Sequence, residues 1–434
     1  MRFRARDVAA ATSGTLIGPD VSIDGASFDS RSIRAGQLFV PIIDQRDGHD
    51  FIEAAVDRGA PCYLSARADP SVRRASAIIV DDTLEAFMRL ARVQRVVLPA
   101  TVIGITGSVG KTSTKDFAAA ALAASRRTCA SERSFNNDQG VPSTILNAPD
   151  DTEVLVLEMG MRGFGEIARL CTVAAPTIGV VTRVAEAHSD RVGGIDGVAR
   201  AKAELVSALP VHGVAILNGD DPRVLAMASV GSGSVLTFGS GLHCDVRIER
   251  LAIDPAAHAS FRLATPWGEV GVTLGVAGRH MAWNAAAAVA CVGAVGGDVT
   301  AGAAALGRVR VTSMRMDVQV AVGGALVLDD SYNANPTSMR AALDALADLA
   351  AERRFAVLGV MAEISDPAAE HAAITRYAER LGIVLIAVGT AAYGVAPEAD
   401  PLVALGTLGE GDAVLVKGSR VAALDRVAAA LRER

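Results

Sequence analysis

The chain has 434 residues, too many for one ordinary core, and the usual domain size of about 100 to 200 residues predicts several domains. Half of the residues are hydrophobic but only 4% are aromatic, which favours α/β layers of parallel strands and small-residue helices. A net charge of −6 without any Lys/Arg run argues against nucleic acid or an anionic membrane as a partner.

The termini, apolar runs and cysteines indicate a cytoplasmic protein. The start MRFRARDVAA lacks the apolar stretch of a signal peptide. The longest apolar run, Ala285 to Gly296, is shorter than the roughly 20 residues of a membrane span and is typical of a buried helix. The cysteines show no paired spacing, so we expect neither a zinc site nor disulfides: Cys62, Cys129, Cys171, Cys244 and Cys291.

The predicted elements begin with a small mixed α/β domain, residues 1–98. It contains the short strand-like pieces TLIG, VSIDGASFDS, QLFVPI and AIIVDD and the amphipathic segment FIEAAVDRGA. From about Ala100 apolar strands alternate with helical stretches, in TVIGIT, EVLVLE, IGVVT and VAILN. This alternation predicts a doubly wound, mostly parallel sheet in a central domain, residues 99–309.

Two further patterns complete the chain. The stretch from Ser232 to Val276 predicts short antiparallel strands at the far edge of the central domain, with a turn over TPWG, residues 265–268. Residues 310–434 repeat the alternation in ALVLDD, FAVLGV, IVLIAVG and AVLVKG, with helices from Ser338 to Leu349 and from Pro367 to Leu381. We therefore expect a Rossmann-like C-terminal domain.

The strongest local motif is GITGSVGKTST, residues 104–114, which follows a predicted strand and precedes a predicted helix. Backbone N–H groups of such a glycine turn bind phosphate, while a lysine, here Lys111, reaches the outer oxygens and a hydroxyl, here Thr112, binds Mg²⁺. The spacing differs from the generic P-loop, which needs glycine where Ile105 stands. Phosphate binding alone leaves many functions open.

Further candidates follow the predicted central strands, whose carboxyl ends gather ligands in such sheets. Glu158 ends EVLVLE, as an acid that holds Mg²⁺ would. His188 lies in the loop after IGVVT, and Lys202 lies on a predicted helix where a solvated lysine is the ordinary alternative. Asp220 and Asp221 follow VAILN and suit either turn formation or catalysis.

Read together, segments in order along essentially the whole chain resemble the Mur ligases. These are FDSR with RDGHDF, GITGSVGKTSTKD, FNNDQGVPSTILN, EMGMRGFGEIARL, LDDSYNANPTSM and LVKGSR. The LDDSYNANPTSM block, Leu328 to Met339, resembles the members that join D-alanyl-D-alanine to UDP-N-acetylmuramoyl-tripeptide. The resemblance implies an ATP-dependent ligase that forms an acyl phosphate from the tripeptide carboxylate, which the dipeptide amine then attacks. We expect a monomer, and the sequence leaves the oligomeric state open.

The resemblance implies specific roles for the nucleotide and metal residues. Thr112 and Glu158 would hold a first Mg²⁺, and His188 with a carbamylated Lys202 would hold a second. Asn284 would read adenine with His280 nearby, and Arg315 and Asp330 would reach the phosphate and ribose. The phosphates would lie on the loop residues Gly107, Ser108, Val109, Gly110, Lys111, Thr112 and Ser113.

The remaining roles concern the two small-molecule substrates. By resemblance, the uridine nucleotide and its peptide would be received by Ser30, Arg31, Asp47, Gly48 and His49. The reacting carboxylate and the dipeptide would lie near Asn333, Asn335, Lys417, Ser419 and Arg420. Whether the tripeptide ends in lysine or diaminopimelate stays open.

Four positions depart from the expected family pattern, namely Asp44, Arg183, Met281 and Val360. They concern substrate and adenine contacts more than the reaction, because the metal ligands and lysines are retained. Two alternatives stay open: a sister ligase that adds a single amino acid or glutamate, and an NTP-driven switch that uses the same loop. The LDDSYNANP block argues against the first, and the lack of an NKxD-like motif argues against a GTP-driven switch.

Overall fold

The computed structural model of the chain describes residues 2–68, 72–186 and 189–433. The chain forms two compact units. The first comprises Met1–Gly104, Arg126–Gly160 and Glu166–Thr177, and the second comprises Ile105–Ser125, Met161–Gly165 and Ile178–Arg434. This division does not follow the predicted boundaries after residues 98 and 309, which stay a prediction.

The N-terminal part is mixed α/β, as predicted. Its elements are β1 (Arg2–Arg4), α1 (Ala5–Thr12), β2 (Thr15–Ile17), β3 (Ser22–Asp24), β4 (Ala26–Ser27), β5 (Leu38–Phe39), α2 (Ile52–Asp57), β6 (Cys62–Ser65), β7 (Ser76–Ile79) and α3 (Thr83–Val97). Strands β4, β5, β6 and β7 pair in parallel in that order, and β2 pairs antiparallel with β7. Buried Phe39, Ile52 and Tyr63 belong to the core against this sheet.

The middle of the chain alternates strands with helices. Its elements are β8 (Thr101–Thr106), α4 (Lys111–Ala123), β9 (Thr128–Ala130), α5 (Gly140–Asn147), β10 (Val154–Glu158), α6 (Glu166–Ala174), β11 (Ile178–Val181), α7 (Ser189–Val192), α8 (Ile195–Ser207), β12 (Val214–Asn218), α9 (Pro222–Leu225), β13 (Ser234–Gly239), β14 (Val246–Ile253), β15 (His258–Thr265), β16 (Gly268–Ala277), α10 (Met281–Ala294) and α11 (Val299–Ala305). In the first unit, β9 and β10 pair in parallel.

In the second unit the strand order is β16, β15, β14, β13, β12, β11 and then the end of β8. Strands β11 to β14 are parallel, whereas β14, β15 and β16 are antiparallel. The predicted turn over residues 265–268 joins β15 to β16 and is confirmed. The antiparallel expectation for VLTFG is wrong, because β13 follows the helical connection through α9 and pairs in parallel with β12.

The C-terminal part is a second α/β layer. Its elements are β17 (Asp317–Val320), β18 (Leu326–Asp329), α12 (Pro336–Asp348), β19 (Arg353–Leu358), α13 (Pro367–Arg380), β20 (Val384–Ala387), α14 (Pro401–Leu405), β21 (Asp412–Lys417) and α15 (Asp425–Arg432). The sheet order is β17, β18, β21, β19, β20, with only β17 antiparallel to its neighbour. Helix α12 begins early because Asn335 caps it and Pro336 fills its first position, where proline costs no hydrogen bond.

The predicted buried helix is α10, in which Ala285 to Val292 are fully buried. It packs against α4, the helix that follows the phosphate loop. The described residues contain no helix with the length and apolar character that crossing a bilayer requires. The five cysteines are free thiols, as expected.

Candidate active site

The predicted phosphate loop joins the end of β8 to the start of α4. Gly107 and Gly110 have φ angles of 151° and 84°, which L side chains rarely adopt. A Cβ on Gly107 would lie 1.9 Å from Oγ1 of Thr182, so the close approach also requires glycine. Ser108 fixes the turn through its N–H to the Arg183 carbonyl at 2.7 Å and its hydroxyl to the Ala185 carbonyl at 2.8 Å. The N-terminus of a 13-residue helix is thereby set as an anion site.

Two residues at the start of α4 carry the predicted phosphate and metal chemistry. The Lys111 Nζ donates to the Gly107 carbonyl at 2.7 Å, so this ammonium lies over the loop itself. Thr112 is 2% exposed. Both are therefore held at the helix N-terminus, where a phosphate oxygen would be bound.

Lys202 is a buried residue of α8, not the solvated helix-face lysine of the ordinary alternative. It is only 3% exposed. Burial and, second, the charge of nearby Lys111 hold the pKa of the Lys202 amine well below its usual value. The neutral amine is favoured because a second cation close to Lys111 would be repelled.

Glu158 ends β10 in the first unit and is 1% exposed. Its Oε1 accepts a hydrogen bond from Nδ2 of Asn136 at 2.7 Å, and the Asn136 carbonyl accepts from the Gly160 N–H at 2.8 Å. Asn136 therefore orients this carboxylate, a role that the sequence did not reveal. The other predicted metal ligand, His188, lies outside the described residues.

No group of three or more His, Cys, Asp or Glu side chains suited to holding a metal occurs within residues 2–68, 72–186 and 189–433. A magnesium site in this part of the chain would need other oxygen donors. A threonine hydroxyl, phosphate oxygens and a carbamate are such donors.

A cavity of about 430 Å³ in the second unit brings many predicted residues together. Its walls come from the phosphate loop, from the start of α10 and from the C-terminal part. Predicted residues that line it are Ser108, Val109, Gly110, Ser113, His280, Asn284, Arg315, Asp330, Asn333, Asn335 and Lys417. Lining residues that the sequence did not single out include Asn218, Phe238, Arg279, Trp283 and Asp344. The cavity has the mixture of apolar walls and convergent polar groups that small-molecule sites share.

Two buried polar atoms on cavity residues have no hydrogen-bond partner in the described structure, Nδ1 of His280 and Nε of Arg315. The Arg315 guanidinium stacks 4.1 Å from the centroid of the Tyr332 ring. Burial lowers the pKa of His280 to about 4, so this imidazole is neutral at pH 7. These two atoms are therefore free of protein partners in the described structure and available to a polar ligand or to water.

Asn284 lies next to the phosphate loop. A Cβ on Gly110 would approach its Oδ1 to 2.6 Å, and its Nδ2 donates to Sδ of Met281 at 3.5 Å. The structure thus places Asn284 against the phosphate loop. Its recognition of adenine stays a prediction.

Lys417 and Asp330 form a buried ion pair. Lys417 also donates to the Asn333 carbonyl at 2.9 Å, and Asp330 accepts from the Met316 N–H at 3.2 Å. Burial lowers the pKa of Lys417, while Asp330 opposes that shift. The pair therefore fixes the loop between β18 and α12 against the entry to β17.

Other predicted substrate residues of the C-terminal part also have structural duties. The Asn335 side chain caps α12 by accepting from the Ser338 N–H at 2.9 Å. Ser419 is 3% exposed, and its hydroxyl accepts from the Ala362 N–H at 2.9 Å. Asn333 and Arg420 are exposed and accessible to a ligand.

In the first unit, the His49 ring is fully engaged by the protein. Its Nδ1 lies 2.6 Å from Asp47 Oδ1, and its Nε2 accepts from the Ala66 N–H at 2.9 Å. A Cβ on Gly48 would meet Ile42 backbone at 2.4 Å, so glycine there permits a close turn. These contacts give His49 and Gly48 a structural role, whereas their predicted contact with substrate is untested.

The segment with Ser30 and Arg31 follows β4. The Arg31 guanidinium binds both carboxylate oxygens of Asp29, at 2.9 and 2.8 Å. Nearby, the Phe28 and Phe135 rings lie 5.4 Å apart. Ser30 is half-buried and Arg31 is exposed, so both are available to a ligand.

The departures from the family pattern fall in two places. Arg183 and Met281 line the cavity. The Val360 carbonyl accepts from the Ser419 N–H at 2.9 Å, and the Asp44 N–H donates to the Arg46 carbonyl at 3.1 Å, so both of these backbones shape loops.

Comparison with known proteins agrees with this geometry. The Mur ligase middle domain matches residues 105–292, and the Mur ligase, glutamate ligase domain matches residues 314–420. The UDP-N-acetylmuramoyl-tripeptide–D-alanyl-D-alanine ligase of Mycobacterium tuberculosis is 41% identical over 394 residues, covering 84% of this chain and 77% of that protein.

Two solved structures extend the likeness. The structure of MurF from Acinetobacter baumannii has a TM-score of 0.89 and 28% identity, covering 100% of this chain and 99% of that one. The structure of MurF ligase from Thermotoga maritima in complex with ADP has a TM-score of 0.81 and 26% identity, covering 94% and 97%. The α/β architecture with mostly parallel sheets and three domains is that of these ligases. The chain belongs to the Mur ligase family.

Proposed function

We propose that the chain joins D-alanyl-D-alanine to UDP-N-acetylmuramoyl-tripeptide at the expense of ATP, a step of peptidoglycan precursor synthesis. The observation that carries the proposal is the cavity that combines the phosphate loop with Arg315 and the loop after β18. Relatives and solved structures of this activity, one of them with ADP, support it.

The proposed reaction has two steps. The terminal carboxylate of the tripeptide attacks the γ-phosphorus of ATP, forming an acyl phosphate and releasing ADP. The dipeptide amine then attacks the acyl carbon, losing a proton and expelling inorganic phosphate. Both steps gather negative charge, which Lys111 and the N-terminus of α4 stabilise from fixed positions.

Two Mg²⁺ ions belong to the proposal. Thr112 and Glu158 would hold the first, and His188 with a carbamate on Lys202 would hold the second. When bound, the ions would neutralise phosphate charge. The carbamate is supported by the burial of Lys202 and the low pKa of its amine, because only a neutral amine has the lone pair that reacts with carbon dioxide.

We assign residues 1–98 to the uridine nucleotide and its peptide, residues 99–309 to ATP, and residues 310–434 to the dipeptide and to closure over ATP. Closure would exclude water, which would otherwise hydrolyse the acyl phosphate. The proposed setting is the cytoplasm, and the five free thiols suit a reducing compartment.

Phosphate release from ATP tests the proposal, measured with the UDP-tripeptide, with the dipeptide and with both. We expect turnover that requires both substrates and yields one amide bond per phosphate. Release that neither substrate changes would support an NTP-driven switch and reject the ligase. Turnover with a single amino acid in place of the dipeptide would identify a sister ligase.

A further inference from the structure

We infer that Trp283 forms a wall of the base pocket for the nucleotide, and that Asp220 is the positioning residue that holds its indole there. The inference deepens the proposed function, since it rests on ATP occupying the cavity. Neither residue received a binding role from the sequence, where Asp220 stayed ambiguous between turn and catalysis.

The distance from the phosphate loop along the sheet suits the length of a nucleotide. The phosphate loop follows β8, and the next strands in order are β11, β12 and β13, whose ends contribute Thr182, Asn218 and Phe238 to the cavity. Strands are about 4.8 Å apart, so Phe238 lies about 14 Å across the sheet from the phosphate loop. That span suits a nucleotide whose phosphates lie on the loop and whose base lies near Phe238 and Trp283.

The side chains that line the cavity also suit a base. Besides backbone and hydroxyl groups, the cavity lining includes the apolar side chains of Phe238, Met281 and Trp283. A purine has two broad apolar faces, and stacking on an aromatic ring is favourable for any base. Trp283 is half-buried, so part of its ring remains available to a ligand.

A hydrogen bond fixes the orientation of the Trp283 indole. The Trp283 Nε1–H donates to Asp220 Oδ2 at 2.7 Å. The same carboxylate accepts from the N–H and hydroxyl of Ser240, at 2.7 and 2.8 Å, and from the N–H of Gly241 at 2.9 Å. Four donors saturate the carboxylate and join the β12 end, the β13 end and α10. Asp220 therefore has a positioning role and does not itself reach the base.

The closing experiment measures binding of ADP and of inorganic pyrophosphate to the full chain by calorimetry. We expect Trp283→Ala to weaken ADP binding about 5- to 100-fold while pyrophosphate binding stays within twofold, because only ADP carries a base. Trp283→Phe should restore most of the affinity. Asp220→Asn should weaken ADP binding several-fold, since an amide nitrogen cannot accept from Trp283 or Ser240.

The matched control is Asp245→Asn. Asp245 is likewise exposed and accepts from the N–H and hydroxyl of Thr237, at 2.8 and 2.7 Å. It has no contact with Trp283 among the hydrogen bonds of the described residues, and its replacement should leave ADP binding unchanged.

A second readout needs no change at Trp283. In the Trp267→Phe protein, Trp283 is the single tryptophan, so saturable quenching of its fluorescence by ADP supports the inference. Wild-type affinity for ADP in Trp283→Ala, or equal losses for ADP and pyrophosphate, would overturn it while leaving the ligase proposal intact. Failure of the unmodified protein to bind ADP at all would overturn both.

Discussion

The Asp116 carboxylate of helix α4 accepts two hydrogen bonds from Thr312, from its N–H at 2.8 Å and from its hydroxyl at 2.9 Å. Thr312 lies three residues before Arg315, which lines the cavity. The helix that carries the phosphate loop is thereby tied to the segment that leads into β17.

We expect Thr312→Val to lower the free energy of unfolding by about 1.5 to 3 kcal/mol, since one hydrogen bond to a charged group is lost. We also expect an increased KM for ATP, because the segment with Arg315 is held less firmly. Thermal unfolding and steady-state kinetics measure both effects. Thr312→Ser keeps the hydroxyl and should behave as the wild type; equal loss in Thr312→Ser would show that the hydrogen bond is not the cause.

Lys202→Ala should lose most activity, and short-chain carboxylic acids should restore part of it by supplying the missing carboxylate. The control is Lys115→Ala, which removes another buried lysine of the same unit, paired with Asp116 at 2.9 Å. Small acids should not rescue that variant. Full activity of Lys202→Ala without added acid would remove the carbamate from the mechanism.

Asn136→Ala should raise the Mg²⁺ concentration needed for half-maximal activity by about 10- to 100-fold, as expected when a residue that orients a metal ligand is removed. The physical reason is the 2.7 Å hydrogen bond that holds Glu158. Asn137→Ala provides the comparison, because the Asn137 side chain accepts from the Gly140 N–H at 3.0 Å and supports the start of α5. That variant should lose stability but keep its Mg²⁺ dependence.

Acidification should destabilise the second unit through His280. The pKa of this buried ring is about 4, below its ordinary value of 6.5, so the unfolded chain binds the proton more readily. The contribution of neutral His280 to the free energy of unfolding is therefore fully present above pH 6.5. It is lost as the pH decreases towards 4, and the loss is about 2 kcal/mol at pH 5. In His280→Gln, the free energy of unfolding should depend less on pH between 4 and 6.5. An unchanged slope in that range would show that other groups cause the loss.

Gln94 on α3 is fully buried, and neither its Oε1 nor its Nε2 has a partner among the described residues. Gln94→Leu should raise the free energy of unfolding by about 1 to 2 kcal/mol, since an unsatisfied buried amide is replaced by an apolar group. Gln37→Leu is the opposite case, because the buried Gln37 side chain bonds Asn147 at 2.7 Å and the Arg34 N–H at 2.8 Å. It should destabilise the chain, and stabilisation there would contradict the explanation.

Much of the fold could be predicted because its signals are local. Alternating strands and helices and the glycines of the phosphate loop are each readable from a few neighbouring residues. The start of α12 was predicted at Ser338, whereas the cap at Asn335 starts the helix at Pro336. The parallel pairing of β13 with β12 could not be predicted, because it depends on where the chain returns to the sheet after α9.

The site was predictable only where a motif carries the chemistry. The Asp220–Trp283 and Asp116–Thr312 contacts join residues 63 and 196 positions apart, so no local pattern announces them. A motif can also suggest a binding role for a residue that the fold already uses. Both ring nitrogens of His49 are bonded within the protein, which the sequence did not reveal.

The alanine-rich helix α10 restricts which substitutions this enzyme can accept. Ala285, Ala286 and Ala288 are fully buried in α10, which packs against α4, and protein interiors are close-packed. Added methyl groups there would push α4 outwards and carry the phosphate loop with it. Substitutions in α10 should therefore lower activity although these residues do not contact a substrate. We expect small side chains to be retained there because they keep α4 and the phosphate loop in place.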